Sequence, residues 1–210
     1  MSEEKTKNDI KSGNKLPEYY DDPVDLFYKK YIDVLNPHFK KANMTPNMIT
    51  TISLFFGLLT CYLYYKSSYV LAGLSFIISY FFDTMDGYYA RKYSMGSVFG
   101  SYYDSISDNF VVLIILYLFY NKTGYINHWI KPTMVCVLLF FSLACIYQMS
   151  CQEKYTKKTQ EEHVSDGLAF LNIVKCKDFE NMKYTRYFGP GVCTLVVAIL
   201  IMGHCFYCKK

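Results

Sequence analysis

Beyond residue 46 the chain alternates between long apolar runs and short charged breaks. The runs are Asn47–Tyr65, Tyr69–Phe82, Tyr103–Tyr120, Ile130–Met149 and Tyr187–Phe206. Several approach the ~20 residues that a helix needs to cross a hydrocarbon core about 30 Å thick, so they predict membrane spans. A further apolar stretch at residues 163–175 is short and interrupted by Asp166 and Gly167, and does not make a clear span. The predicted fold class is all-α, a polytopic transmembrane helical bundle with five clear spans and an unclear sixth.

Ahead of the first span, Val24, Phe27, Tyr28, Tyr31, Ile32, Leu35 and Phe39 recur at helical spacing opposite Lys29, Lys30, Asp33 and Lys40. That pattern predicts an amphipathic helix lying on the membrane surface. Thr45-Pro46-Asn47 then reads as a helix start, because Thr can cap and Pro fits a first turn. Residues 1–21, rich in Lys, Glu, Asn and Ser, are expected to be a disordered tail. The expected organisation is this tail followed by one membrane domain over 22–210, with the interfacial helix at 22–45 and the transmembrane bundle at 46–210.

Composition agrees with this picture. Hydrophobic residues make up 52% of the chain, and many of its 22 Tyr and 16 Phe stand near run ends, where amphipathic rings favour the membrane interface. No cleavable leader is expected, because the first 46 residues contain no apolar run. The formal charge of +4 is unevenly spread. Lysines precede the first span, Arg91 and Lys92 follow the second, and basic residues fill Lys154–Arg186. By the positive-inside rule these three places face the cytoplasm. The cysteines lie mostly inside apolar runs and are expected to pack as small hydrophobes, without a disulfide framework. No nucleic-acid partner is expected.

Four acids break the apolar pattern. Asp83 and Asp86 end the second run, and Asp104 and Asp108 lie early in the third. A charged Asp inside a membrane helix costs about 2.5–3.5 kcal/mol on insertion scales, so the four require a reason. Spacings of three and four put each pair on one face of its helix. The short connection around 92–99 predicts that spans two and three form an antiparallel hairpin, which gathers all four carboxylates at one end. Carboxylates that close repel unless they hold protons or cations, and oxygen-only ligands select hard divalent cations. Cations held by a carboxylate cluster suit phosphate chemistry. Gly87 and Ala90 on the Asp83 side, and Gly100 one turn before Asp104, leave room for a nucleotide to approach the backbone.

The run Asp83-x-x-Asp86-Gly87-x-x-Ala90-Arg91, eight residues, Gly100-x-x-x-Asp104-x-x-x-Asp108 resembles the signature of the class-I CDP-alcohol phosphotransferase family. The Pro46-Asn47-x-x-Thr50 start of the first span is similar to that family's first helix. The resemblance implies a six-helix membrane fold, a homodimer, and a cytoplasm-facing cavity that binds CDP over two divalent cations, Mg²⁺ or Mn²⁺. It further implies that Asp83, Asp86 and Asp104 are metal ligands, and that Asp108 is a ligand and the general base. Gly87, Ala90, Arg91 and Gly100 would meet the nucleotide, together with Asn47 and Thr50.

The implied activity is transfer of a substituted phosphate group from a CDP-alcohol to an alcohol acceptor, with release of CMP. CDP-diacylglycerol is the expected donor, and transfer from a CDP-aminoalcohol to diacylglycerol is the alternative. In this family, members that use inositol or glycerophosphate resemble one another in two basic positions, where this chain has Ser53 and Asn109. An uncharged or zwitterionic acceptor is therefore expected. A divalent-cation transporter would place its acids near the bilayer midplane on several broken helices, and an inactive scaffold would keep the fold without the chemistry.

Overall fold

The computed structural model describes residues 13–122, 130–159 and 181–207. Among them all regular structure is helical: α1 (Pro23–Lys41), α2 (Pro46–Tyr65), α3 (Tyr69–Lys92), α4 (Val98–Lys122), α5 (Ile130–Thr159), two short turns (Met182–Thr185 and Arg186–Phe188) and α6 (Pro190–Tyr207). Four segments among the described residues, not the five expected, are long and apolar enough to cross a membrane: Pro46–Tyr65, Val98–Lys122, Val135–Tyr155 and Met182–His204. The expected span Tyr69–Phe82 lies in α3, which also carries Asp83, Asp86, Arg91 and Lys92 and is not one of them. The protein is an all-helical integral membrane protein. The unclear stretch at 163–175 lies outside the described residues.

The helix ends follow from local chemistry. Asp22 Oδ1 accepts from Val24 N at 2.7 Å and Pro23 opens the first turn of α1. Thr45 caps α2 in the same way, with Pro46 behind it. Helices α1, α2 and α3 each end in a left-handed residue, Asn43, Ser67 and Ser94. Each is closed by a six-to-one backbone bond, Met44 N to Phe39 O, Ser68 N to Leu63 O and Met95 N to Ala90 O.

Helix α2 packs on both α3 and α4, and α6 packs along the other side of α3. Small residues set the close approaches. A Cβ on Gly57 would stand 2.7 Å from Val111 Cγ2, and one on Gly73 would stand 3.0 Å from Ala198 O. Ser53 Oγ donates to Ser79 O at 2.9 Å while Ser79 Oγ donates to Ser53 O at 2.9 Å, a reciprocal lock between α2 and α3.

The expected tight hairpin of spans two and three takes a different form. Helices α3 and α4 are consecutive, yet they flank α2 and are not packed along their lengths. The apolar side of α4, with Val111 and Ile115, is spent on the core beside Cys61 and Tyr64. What α3 and α4 turn toward each other is acid, and carboxylates do not pack.

The bundle has two distinct ends. At one, Tyr64, Tyr69, Phe119 and His204 form an aromatic knot, with Tyr64 Oη 2.5 Å from His204 Nδ1. Lys122 Nζ donates there to Tyr64 O and Tyr65 O at 2.7 and 2.8 Å. At the other end lie α1, the start of α6 and the end of α5. There Asp22 Oδ2 accepts from Val192 N at 3.1 Å, and Leu16 and Tyr20 are buried against Cys151 and Met182. Both helix ends that flank the undescribed 160–180 stretch therefore lie at this second end.

Two sequence expectations change. Residues 13–21, assigned to a disordered tail on composition, are packed: Leu16 is 2% exposed and Lys15 pairs with Glu153 at 3.2 Å. Residues 1–12 lie outside the described part. Cys151 is disulfide-bonded, whereas Cys61, Cys136, Cys145 and Cys193 are free. The bond at Cys151 departs from the expectation of no disulfide; this residue stands just beyond the apolar run that ends at Met149 and is buried with Leu16, Tyr20 and Met182.

Candidate active site

The acids sit at the end of the bundle occupied by α1. Single carboxylate oxygens of Asp83, Asp104 and Asp108 lie within 4.8 Å of one another. Asp83 and Asp86 are less than a turn apart on α3, and Asp104 and Asp108 one turn apart on α4, so the two helices supply the cluster from facing sides. Asp86 is the most buried of the four, at 5% exposure, and stands outside that group of three. Its Oδ2 accepts a hydrogen bond from Thr50 Oγ1, and the same hydroxyl is 3.2 Å from Pro46 O.

The donor set fits a hard cation. It consists of carboxylate oxygens alone, three of them converge, and Asp104 Oδ1 is buried with no hydrogen-bond partner among the described residues. A buried carboxylate oxygen left bare is costly unless something positive meets it. The cluster can therefore hold a metal ion.

The small residues around the acids have specific neighbours. A Cβ on Gly87 would lie 3.3 Å from Arg91 Nη1 and 3.7 Å from Nη2, so the guanidinium lies across the Gly87 backbone. A Cβ on Gly100 would lie 2.8 Å from Asn47 Oδ1, which brings the start of α2 against the start of α4. Thr51 Oγ1 and Tyr103 Oη, 3.1 Å apart, fasten the same two helices. Ala90 is half-buried, and its carbonyl accepts the bond from Met95 N that closes α3.

Some contributors are not apparent in the motif. Thr50, expected at the nucleotide, has its hydroxyl on Asp86. Arg91 Nε donates to Gly13 O at 2.9 Å, a partner 78 positions away. Tyr80 Oη donates to Asp25 Oδ1 at 2.7 Å, which joins α1 to α3 one turn from Asp83. Burial, followed by the neighbouring charges of Asp22 and Asp21, pushes the Asp25 carboxyl up to about 7. Of the two positions expected to differ with the acceptor, Ser53 is buried in the lock with Ser79, and Asn109 is exposed with Nδ2 on Ser105 O at 2.6 Å.

Known proteins carry the same region. An archaetidylinositol phosphate synthase of Pyrococcus horikoshii is 30% identical over 89 residues, 42% of this chain and 47% of the relative. A CDP-diacylglycerol–glycerol-3-phosphate 3-phosphatidyltransferase of Pseudomonas fluorescens is 32% identical over 96 residues, 44% of this chain and 48% of the relative. An uncharacterised protein of Aquifex aeolicus is 32% identical over 84 residues, 40% and 43% of the two chains. The matches thus span about half the length of these curated relatives or a little less. The family model described as CDP-alcohol phosphatidyltransferase matches residues 43–175. That stretch takes in α2 to α5 and every acid of the cluster, and on it we conclude that the chain belongs to the CDP-alcohol phosphatidyltransferase family.

Proposed function

We propose that this protein is a phospholipid-synthesising transferase that moves the phosphatidyl group of CDP-diacylglycerol to an alcohol and releases CMP. The convergence of Asp83, Asp104 and Asp108 carries this reading, since oxygen ligands alone at a membrane end suit a diphosphate held through cations. Asp83, Asp86, Asp104 and Asp108 would hold two divalent cations, Mg²⁺ or Mn²⁺. When bound, such cations neutralise the diphosphate and the charge that develops on entering and leaving oxygens.

The chain's own groups do the rest. Thr50 fixes the Asp86 carboxylate, and Arg91 meets the diphosphate beside Gly87, with Ala90, Gly100 and Asn47 lining the approach. Asp108 is the most exposed of the converging three, and it takes the proton of the acceptor hydroxyl. The acceptor oxygen forms the new bond to phosphorus while the bond to CMP oxygen breaks, and CMP leaves as the phosphate monoester. No Cys, His or Ser of the motif is placed for covalent catalysis, so direct transfer is the simpler course.

The acid end faces the cytoplasm in this reading, supported by Lys29, Lys92, Lys154, Lys183 and Arg186 at that end. A homodimer is part of this reading, in which the exposed apolar stripe Phe99, Ile106, Phe110, Leu113, Tyr117 and Tyr120 along α4 is a face for lipid or for a second copy.

One relative's name gives glycerol-3-phosphate as acceptor. Ser53 and Asn109 bring no cation to this site, and we infer an uncharged or zwitterionic alcohol here. The test is to incubate the purified protein with CDP-diacylglycerol or CDP-choline, Mg²⁺, and a panel of alcohols with and without phosphate. The expected product is a phosphatidyl alcohol formed from CDP-diacylglycerol and an acceptor without phosphate. Product only from CDP-choline with diacylglycerol would reverse the donor assignment, and product only from a phosphorylated alcohol would refute the acceptor class.

A further inference from the structure

Arg91 is held in an unusual way for a cation among acids. It forms no ion pair within 4.0 Å among the described residues, and its one side-chain hydrogen bond there runs from Nε to the backbone carbonyl of Gly13. The residue is exposed, and its two terminal nitrogens lie across Gly87. One donor of the fork is tied from behind, and the face that matches a phosphate in bidentate fashion is left to the site.

The partner is built for this contact. Gly13 has φ +89°, a left-handed value that favours glycine, and a Cβ on it would stand 3.0 Å from Lys92 Cβ and 3.1 Å from Tyr88 O. The segment that follows is anchored on three elements. Lys15 pairs with Glu153 of α5, Leu16 and Tyr20 are buried against Cys151 and Met182, and Arg186 Nη1 donates to Tyr19 O at 3.3 Å. Asp21 pairs with Lys29 of α1, and Asp22 caps α1 while accepting from Val192 N of α6. A carbonyl delivered by a segment fastened this widely is a fixed point against which a flexible arginine can be set.

We propose that the strap Gly13–Asp22 is a working wall of the nucleotide site, in which the Gly13 carbonyl positions Arg91 so that its free nitrogens receive the diphosphate of a nucleoside diphosphate. This rests on the reading of Arg91 as a diphosphate contact. Gly13 is a positioning residue: it touches Arg91 and not the substrate. Its contribution is the ordering of one long side chain before binding, which corresponds to roughly 3–10-fold in affinity.

The test is a double-mutant cycle read by calorimetric titration of CDP with Mg²⁺ into the purified full chain, for wild type, Gly13→Val, Arg91→Lys and the double variant. Lysine keeps the charge and lacks the Nε–H that the carbonyl accepts. Gly13→Val is expected to weaken CDP roughly 3–10-fold, Arg91→Lys at least as much, and the double variant no more than Arg91→Lys alone. In turnover, Gly13→Val is expected to raise KM for the CDP-alcohol with kcat little changed. Gly13→Ala, milder at the same two contacts, should fall between wild type and Gly13→Val and covers the case in which the valine variant does not fold. Full CDP affinity in both Gly13 variants, with Arg91→Lys weakened, would overturn the strap proposal alone. An undiminished Gly13→Val effect in the Arg91→Lys background would also overturn it, since the strap would then act by general packing. Full affinity in Arg91→Lys would overturn the diphosphate reading of Arg91 and the strap proposal with it.

Discussion

Replacing Asp104 by asparagine should make the metal-free protein more stable while removing its response to metal. Asp104 offers an oxygen within 4.8 Å of oxygens from Asp83 and Asp108, and its own Oδ1 has no hydrogen-bond partner among the described residues. Two ionised carboxylates at about that separation repel by about 3.5 kcal/mol at an effective dielectric of ~20, and Asp104 faces two of them. Proton uptake by the cluster, side-chain rotation and hydration absorb most of this, and an asparagine nitrogen can donate to either neighbour where the carboxylate repelled it. We expect a net gain of about 1–2 kcal/mol for Asp104→Asn, or roughly 2–8 °C in Tm for a chain of this size. A cation at a hundred times its Kd would stabilise the wild type by about 2.7 kcal/mol, or roughly 5–11 °C, and the variant hardly at all. Thermal unfolding of both proteins in detergent, in EDTA and across a Mg²⁺ titration, reads all of these quantities. A variant that melts at or below the wild type in EDTA, and gains as much as wild type from Mg²⁺, would show that Asp104 is neither a source of repulsion nor a cation ligand.

Asp108→Asn should keep CDP binding in the presence of metal while losing roughly 10²–10⁴-fold in kcat, the usual range for a lost general base. Asp83→Asn should weaken CDP binding as well as rate, and equal loss of CDP binding in both would make Asp108 chiefly a ligand. Gly87→Leu should push the Arg91 guanidinium off the helix and abolish CDP binding while the protein stays inserted, and unchanged CDP affinity would restrict Gly87 to packing. Asp25 has its folded carboxyl raised to about 7 by burial, so the native state binds the extra proton and stability should fall as pH rises from about 4 to 7. Asp25→Asn should flatten that slope in thermal unfolding at pH 5 and 7.5, and an unchanged slope would assign it to other groups.

The parts of this molecule that were legible in the sequence are those governed by helical period and caps. Spacing and the short connection pointed to the meeting of Asp83, Asp104 and Asp108 but not to the turn of Asp86 toward Thr50, and Thr45-Pro46 and the amphipathic run Pro23–Lys41 marked helices that the structure repeats. What escaped depends on partners distant in sequence. Leu16, Tyr19 and Tyr20 are too few apolar residues in a polar stretch to signal burial, and their neighbours Cys151 and Met182 come from the far end of the chain. Gly13 followed shortly by Leu16 and the pair Tyr19-Tyr20 was the available signal. The short 92–99 connection correctly joined consecutive helices, but loop length does not say which faces are already committed. Helix α4 spent its apolar face on the α2 side, and this left a gap bordered by acid where a packed hairpin was expected. Thr50 shows the same limit, because its hydroxyl could be assigned to Asp86 only once α2 and α3 were placed side by side.

The proposed function requires that the acid cluster transfer a phosphate-linked group in a cation-dependent way. The most direct measurement is CMP release by the purified protein given CDP-diacylglycerol, Mg²⁺ and an accepted alcohol, with phospholipid product followed in parallel. One CMP is expected for each phospholipid formed, with both lost in EDTA, restored by added Mg²⁺ or Mn²⁺, and lost in Asp83→Asn. Undiminished release of CMP in EDTA, or no release from any CDP-alcohol in the presence of either cation, would contradict the proposed function.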